Sequence, residues 1–249
     1  HKFIANNMLL GGYRFFGTQT SMACDYARKN GVPNSSIINI KPTILLNKQS
    51  KSKNKRKLTI LHASTVKDGT KRYIYETADE LLETILEIVE VLSTCQNIKL
   101  IIKFREIESF SLKSLKALLG NLPKNISIES EGPIGKYLAS SHLLMSFSST
   151  TIEEALINGT PILLYGGKGR YSHIPIEPFI IGKIEDILTP VTFVDNSDTL
   201  EEYIKLLDNN YEIFIKHQFD FSNYTLQDSI SVIDWLNQNK ILIDNISIN

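Results

Sequence analysis

The sequence predicts an α/β fold, a Rossmann-like doubly wound parallel sheet with a short N-terminal βαβ unit ahead of it. Between residues 58 and 215, apolar runs with strand character alternate with segments of helical spacing. The runs, such as "IKLIIKF" at 98–104, are nearly all apolar rather than alternating. Strands of that kind are typical of a parallel sheet whose two faces are both covered.

The elements follow one another in strand–helix order. "KLTILHAS" at 57–64 predicts the first strand, and the apolar spacing of "TADELLETILEIVEVLSTC" predicts the helix after it. Further strands are predicted at 98–104, "NISIES", 142–148, "TPILLYG" and 190–195. The remaining helices are predicted around "LKSLKALLGNL", "IGKYLAS", "TTIEEALING" and "SDTLEEYIKLLDNN", the last opened by a serine or aspartate cap.

Four segments are predicted along the chain. Residues 1–46 look like a different unit, with a strand, a helix, a turn and a strand. Residues 47–57 form a basic linker, 58–215 the Rossmann-like domain and 216–249 a C-terminal helical segment. In that last segment, one helix is expected to bury Leu226, Ile230, Ile233 and Trp235 or Leu236. The chain begins at His1 rather than Met, so we expect a piece of a longer protein.

Composition excludes several classes of function. The 27 basic and 27 acidic residues balance, so no global field would attract nucleic acid. Cys24 and Cys95 form neither a C-x-x-C motif nor a metal signature, which fits a reducing, cytoplasmic compartment. The linker has six Lys/Arg in eleven residues. It is either a solvated connection or a patch that touches anionic lipid at the inner face of the membrane.

The stretch "SFSSTTIEEALINGTPILLYGG" at 146–167 carries the clearest chemistry. Ser149, Thr150 and Thr151 stand between a strand and a helix, where backbone N–H groups and hydroxyls form an anion site. Alternatively, Thr150 and Glu153 form a capping box that satisfies the helix's own donors. Glu154 is not needed for that cap, and its carboxylate could accept both hydroxyls of a ribose.

Those residues resemble the nucleotide-binding motif in the C-terminal domain of GT-B glycosyltransferases. The likeness rests on small hydroxyl residues, a Glu-Ala pair, a Gly-x-Pro turn at Gly159 and Pro161, and an apolar strand. It covers residues 58–195, while 12–45 looks like the last βαβ piece of that family's N-terminal domain. The resemblance thus implies that residues 1–46 are the end of an incomplete N-terminal domain, of which this βαβ remnant is present. The resemblance implies that Ser149, Thr150 and Thr151 hold the donor's diphosphate and that Glu154 holds the ribose.

Two further groups of residues are candidates for the donor site. Lys103 and Arg105 end a strand at the same sheet edge and suit a diphosphate, although an exposed Arg-Glu surface pair is the alternative. The Lys-Pro-His-Pro element of some relatives is absent. Ser64, after the first strand, is expected near the pyrophosphate, whereas His62 is expected to pack rather than to catalyse.

The loop "GGKGRYSHIP" at 166–175, which follows the strand "TPILLYG", is the candidate for contact with the donor sugar. Its glycines allow close backbone approach, and it is otherwise explained as a mobile surface turn. The residues assigned to the sugar are Gly167, Arg170, Tyr171 and His173.

The resemblance implies an enzyme of polysaccharide biosynthesis that transfers a sugar from a nucleotide-sugar donor to a glycan or lipid-linked acceptor. No cofactor and no metal are expected. The catalytic base of inverting members lies in the N-terminal domain, so no catalytic residue is assigned. We expect this chain to bind nucleotide but to be incomplete for catalysis without that domain. The alternatives are a sugar-nucleotide 2-epimerase and a non-catalytic nucleotide-sugar binding module.

Overall fold

The structure is a computed structural model that describes residues 14–41, 57–63, 76–108, 110–147, 149–167, 174, 176–224 and 228–239. The chain divides into two units, one formed by residues 49–220 and the other by 1–48 together with 221–249. Among the helices of the described residues, none has both the length and the apolar character needed to cross a membrane.

The larger unit contains a six-stranded parallel sheet in the order β5-β4-β3-β6-β7-β8. The predicted parallel α/β fold is therefore confirmed. The order reverses between β3 and β6, which are neighbours in the sheet although two strands separate them along the chain. The strands are β3 (Leu58–Ala63), β4 (Ile98–Lys103), β5 (Ile126–Glu129), β6 (Leu143–Ser146), β7 (Ile162–Leu164) and β8 (Val191–Phe193).

Helices connect these strands and cover the sheet. All six residues of β3 are buried, as expected for a central strand with two covered faces. The first helix opens with a capping box in which Thr77 and Glu80 satisfy each other's backbone N–H groups. The helices of this unit are α2 (Ala78–Leu92), α3 (Leu112–Leu119), α4 (Ile134–Ser140), α5 (Thr151–Ile157), α6 (Ile184–Ile187), α7 (Ser197–Asn209) and α8 (Tyr211–Lys216).

The start of α7 differs from its prediction. The cap is Asn196, whose side chain accepts a 2.9 Å hydrogen bond from the Thr199 backbone N–H. The predicted serine, Ser197, is already the first helical residue. Asparagine caps helices as well as serine or aspartate does, so two adjacent capping residues left the boundary ambiguous by one position.

The smaller unit contains β1 (Phe16–Thr18), α1 (Ser21–Lys29) and β2 (Ile37–Asn39), and the two strands pair in parallel. This is the predicted strand–helix–strand order. Near the C-terminus, α9 spans only Val232–Gln238, so Ile230 precedes the helix and forms a parallel bridge with Ile40. The predicted burial of Ile233 is wrong, because its side chain is 70% exposed. Leu236 is 42% exposed, and Leu226 lies outside the described residues.

Candidate functional site

A cleft lies at the carboxyl ends of strands β3, β4, β5 and β6. Its volume is about 610 Å³. Ligands of open α/β sheets bind beyond the carboxyl ends of the strands, where the strand order reverses. The cleft is lined by Ala63, Lys103, Phe104, Arg105, Glu106, Ser130, Glu131, Gly132, Ile134, Ser149, Thr150, Thr151 and Glu154.

Two separate segments bring six of the predicted donor-binding residues into this cleft. Lys103 and Arg105 come from the end of β4, whereas Ser149 and Thr150 come from the turn between β6 and α5, and Thr151 is the first residue of α5. Glu154 follows within α5. These residues lie up to 51 positions apart in sequence (154 − 103) and line one pocket. The structure thus brings together the two motifs that the sequence placed on one sheet edge.

The turn before α5 differs from the capping alternative. Thr150 makes no capping hydrogen bond, so the Thr150–Glu153 capping box is wrong. Instead, the Ser149 hydroxyl oxygen accepts from the Thr151 backbone N–H at 3.2 Å and donates to the Thr151 hydroxyl at 3.0 Å. Ser149 and Thr151 are buried, whereas Thr150 is exposed to the cleft. The backbone of Thr150 is helical, a geometry in which its hydroxyl does not reach back to the helix N–H groups.

Glu154 places a carboxylate in the lining of the cleft. The side chain is half-buried, and burial, followed by the charge of neighbouring Glu153, raises the pKa of Glu154. Within the described part of the chain, no side chain or backbone group donates a hydrogen bond to this carboxylate. A carboxylate in this position has capacity to accept hydrogen bonds from a ligand.

The two basic residues of the cleft differ in their surroundings. Arg105 is exposed and forms no ion pair with Glu106, whose carboxylate accepts a 2.7 Å hydrogen bond from the Leu112 backbone N–H. Glu106 is exposed as well, so the alternative that the two residues are only a surface feature stays open. Lys103 donates to the backbone oxygens of Ser130 and Glu131. Burial lowers the pKa of Lys103, while the charges of Glu129 and Glu131 act in the opposite direction.

A buried carboxylate that sequence reasoning missed lies beside the turn after β7. Glu76 is 1% exposed and accepts a 2.8 Å hydrogen bond from the Gly167 backbone N–H and a 3.4 Å bond from the Thr84 hydroxyl. Gly166 and Gly167 both have positive φ, 104° and 59°. Only the following capping box marks this position in the sequence, and nothing local links Glu76 to a turn 91 residues away.

His62 lies in the core of the sheet rather than in the cleft. It is 1% exposed within β3, and burial lowers its pKa to about 4. The expectation that His62 packs rather than catalyses is consistent with this position. In the described ranges, no group of three or more His, Cys, Asp or Glu side chains could hold a metal ion. Four other predicted site residues lie outside those ranges: Ser64, Arg170, Tyr171 and His173.

The strand order, with a cleft where it reverses, defines a Rossmann-like architecture. Comparison with solved structures identifies the fold as GT-B-like. The MnaA–UDP structure from S. aureus matches over 94% of this chain with a TM-score of 0.57 and 14% identity. The calicheamicin glycosyltransferase CalG4 matches over 90% with a TM-score of 0.54 and 12% identity. A UDP-GlcNAc 2-epimerase from Neisseria meningitidis, bound to UDP-GlcNAc, matches over 94% with a TM-score of 0.50 and 14% identity.

These matches concern the fold and cover only part of each relative. The chain spans 60% of the MnaA and epimerase chains and 51% of CalG4. No protein-family model and no curated protein sequence matches the chain.

Proposed function

We propose that the cleft binds a nucleotide sugar and that the chain is the donor-binding part of a glycosyltransferase acting on a cell-surface glycan. The observation that carries this proposal is the convergence of six predicted donor-binding residues on one cleft at the reversal of strand order. The GT-B-like fold, which the chain shares with CalG4 and with proteins solved with UDP or UDP-GlcNAc, supports it.

The proposed roles follow from charge and hydrogen-bonding capacity. Arg105 presents a planar guanidinium that is always charged and can bond two phosphate oxygens at once. The Thr150 hydroxyl and the adjoining turn would bind the same diphosphate. Donors directed at the diphosphate would stabilise the negative charge that develops as the sugar leaves. Glu154 would accept hydrogen bonds from the ribose hydroxyls, and the Gly167 loop would contact the sugar.

An epimerase of nucleotide sugars is the second candidate. It is favoured by the similarity to the N. meningitidis UDP-GlcNAc 2-epimerase, which covers as much of this chain as the MnaA match does. An epimerase would use a similar nucleotide site, so the two candidates differ in the fate of the sugar rather than in this cleft.

Thermal denaturation with a panel of nucleoside diphosphates tests the binding proposal. A ligand that binds only the folded state raises Tm by mass action. At a hundredfold excess over Kd it adds about 2.7 kcal/mol to the free energy of unfolding. We expect UDP, ADP, GDP or TDP to raise Tm, and the matching nucleotide sugar to do the same. No shift with any of them would refute the proposal.

The product formed by the full-length protein separates the candidate functions. Transfer of a labelled sugar to an acceptor, with release of the nucleoside diphosphate, supports the glycosyltransferase. Recovery of the nucleotide sugar with an inverted configuration at one sugar carbon supports the epimerase. Binding with neither product identifies a non-catalytic nucleotide-sugar module.

A further inference from the structure

Lys103 holds a loop of the cleft through its backbone. Its ammonium donates hydrogen bonds to the carbonyl oxygen of Ser130 and, at 2.9 Å, to that of Glu131, directly after β5. An ammonium has three N–H donors, so two of them are directed at this loop. The residue therefore connects the end of β4 to the segment that follows β5.

Tyr137 holds the same loop from α4. Its hydroxyl donates a 2.8 Å hydrogen bond to the carbonyl oxygen of Glu131, the acceptor that Lys103 also uses. The Lys103 ammonium lies 5.3 Å from the centre of the Tyr137 ring, within the range of a cation–π contact. One carbonyl thus receives two donors, and the two donor side chains contact each other.

The loop held in this way is a wall of the cleft. Ser130, Glu131, Gly132 and Ile134 all line it, and we call residues 130–134 the wall. Gly132 has a φ of 78°, a backbone conformation that other residues rarely adopt. The wall therefore depends on an unusual backbone course that Lys103 and Tyr137 fix at the preceding residue.

The charge of the wall is unsuited to a diphosphate. Glu131 is exposed on it, and Glu129 ends the strand before it, both close enough to Lys103 to act on its charge. Two carboxylates offset the single cation, so a phosphate next to the wall would meet little net attraction. Among the described residues that line the cleft, Arg105 is the cation that has no carboxylate partner and can therefore serve the phosphates.

We propose that Lys103 is a positioning residue that fixes the wall, and that the wall contacts an uncharged part of the bound nucleotide rather than its diphosphate. The inference rests on the proposed function of the cleft. It predicts that Lys103 and Tyr137 act on one step, the placement of the wall, although only one of them carries charge.

Two substitutions and two ligands test this inference. The nucleoside diphosphate that raises Tm most is measured by calorimetry and its nucleoside by ligand-observed NMR titration; UDP and uridine stand for that pair below. Lys103→Met and Tyr137→Phe should each weaken UDP and uridine by the same factor, roughly tenfold for Lys103→Met and less for Tyr137→Phe, which removes one hydrogen bond. The control Lys136→Met removes an exposed lysine of α4 outside the cleft lining and should change neither affinity.

Hydrogen–deuterium exchange on the ligand-free protein gives a second readout. Both variants should speed exchange of the amides at 130–134 and leave those at 149–154 unchanged. If Lys103→Met weakens UDP but not uridine and leaves exchange at 130–134 unchanged, Lys103 is a phosphate ligand. That result would overturn the inference but not the proposed function. Variants with lower Tm and unchanged affinities would overturn it too. Wild-type protein that binds none of the four nucleoside diphosphates would overturn the proposed function and the inference with it.

Discussion

The carboxylate of Glu76 accepts a 2.8 Å hydrogen bond from the backbone N–H of Gly167, although 91 residues separate them. Glu76 stands directly before the cap of α2, and Gly167 follows β7, so the bond joins two elements at the carboxyl edge of the sheet. A Cβ at Gly166 would lie 2.7 Å from the same carboxylate oxygen. The two glycines and the buried glutamate therefore form one fixed turn.

Gly167→Ala should destabilise the fold because the added Cβ would lie 2.0 Å from the Phe147 ring. The positive φ adds a backbone cost, and the two effects together should exceed about 2 kcal/mol in urea unfolding. In a Phe147→Ala background only the backbone cost remains, so the same substitution should cost about 1 to 2 kcal/mol. Equal costs in both backgrounds would show that the ring does not set the limit.

Ser149→Ala should reduce stability more than Thr150→Ala. Ser149 caps the Thr151 N–H, and loss of such a cap costs about 0.5 to 2 kcal/mol. Thr150 makes no capping bond, so its replacement should change the free energy of unfolding by less than about 0.5 kcal/mol. Urea unfolding of the two variants gives the comparison, and the reverse order would restore the capping box.

Arg105→Ala should weaken UDP much more than uridine. A charge-assisted hydrogen bond is worth about 1.5 to 3 kcal/mol, and uridine lacks the diphosphate that would accept it. Calorimetry for UDP and NMR titration for uridine measure the difference. Lys116→Ala removes an exposed positive charge from α3 and serves as the control for the overall field. Equal weakening of both ligands would place Arg105 away from the phosphates.

Glu154→Ala should cost about 1.5 to 3 kcal/mol of UDP affinity while leaving Tm nearly unchanged. Burial and the charge of Glu153 both raise the pKa of Glu154, so the Glu154 charge does not stabilise the fold and its removal should not lower the free energy of unfolding. Wild type should bind 2'-deoxy-UDP less tightly than UDP. The Glu154→Ala variant should bind the two ligands with about the same affinity. Glu153→Ala is the matched control, because adjacent helical residues point about 100° apart. Wild-type protein that does not distinguish the two ligands would exclude a ribose role for Glu154.

Stability should fall as the pH decreases from about 6.5 to about 4 because of His62. Burial lowers the pKa of His62 to about 4, from 6.5 for an ordinary histidine, so in this window the unfolded chain binds a proton that the folded chain does not. Linkage then predicts a loss of about 3 kcal/mol across the window. Urea unfolding at a series of pH values should give a smaller slope for His62→Gln, and an identical slope would exclude this assignment.

Local pattern was sufficient to predict the parallel sheet and the residues that gather at its edge. Each strand is a short apolar run and each helix has its own spacing, so β3 and α2 could be assigned without tertiary contacts. Contacts between distant residues were not predictable in this way. Two hydrogen bonds depend on which strands become neighbours: the one from the Gly167 N–H to Glu76, and the one from the Lys103 ammonium to the Ser130 carbonyl. Ile233 was assigned to a buried face because the helix was extended back past its true start at Val232.

The reversal of strand order also bears on how the protein assembles during synthesis. β3, β4 and β5 are consecutive in the chain and adjacent in the sheet, so they can pair as soon as residue 129 is available. The other edge of β3 stays unpaired until β6 has been made, and the buried bond from the Ser146 hydroxyl to the Ala63 carbonyl then joins strands 83 residues apart. Residues from both sides of that junction line the cleft. A nucleotide that fills it would bridge an early-made and a late-made half of the domain, and would hold closed the seam along which they meet.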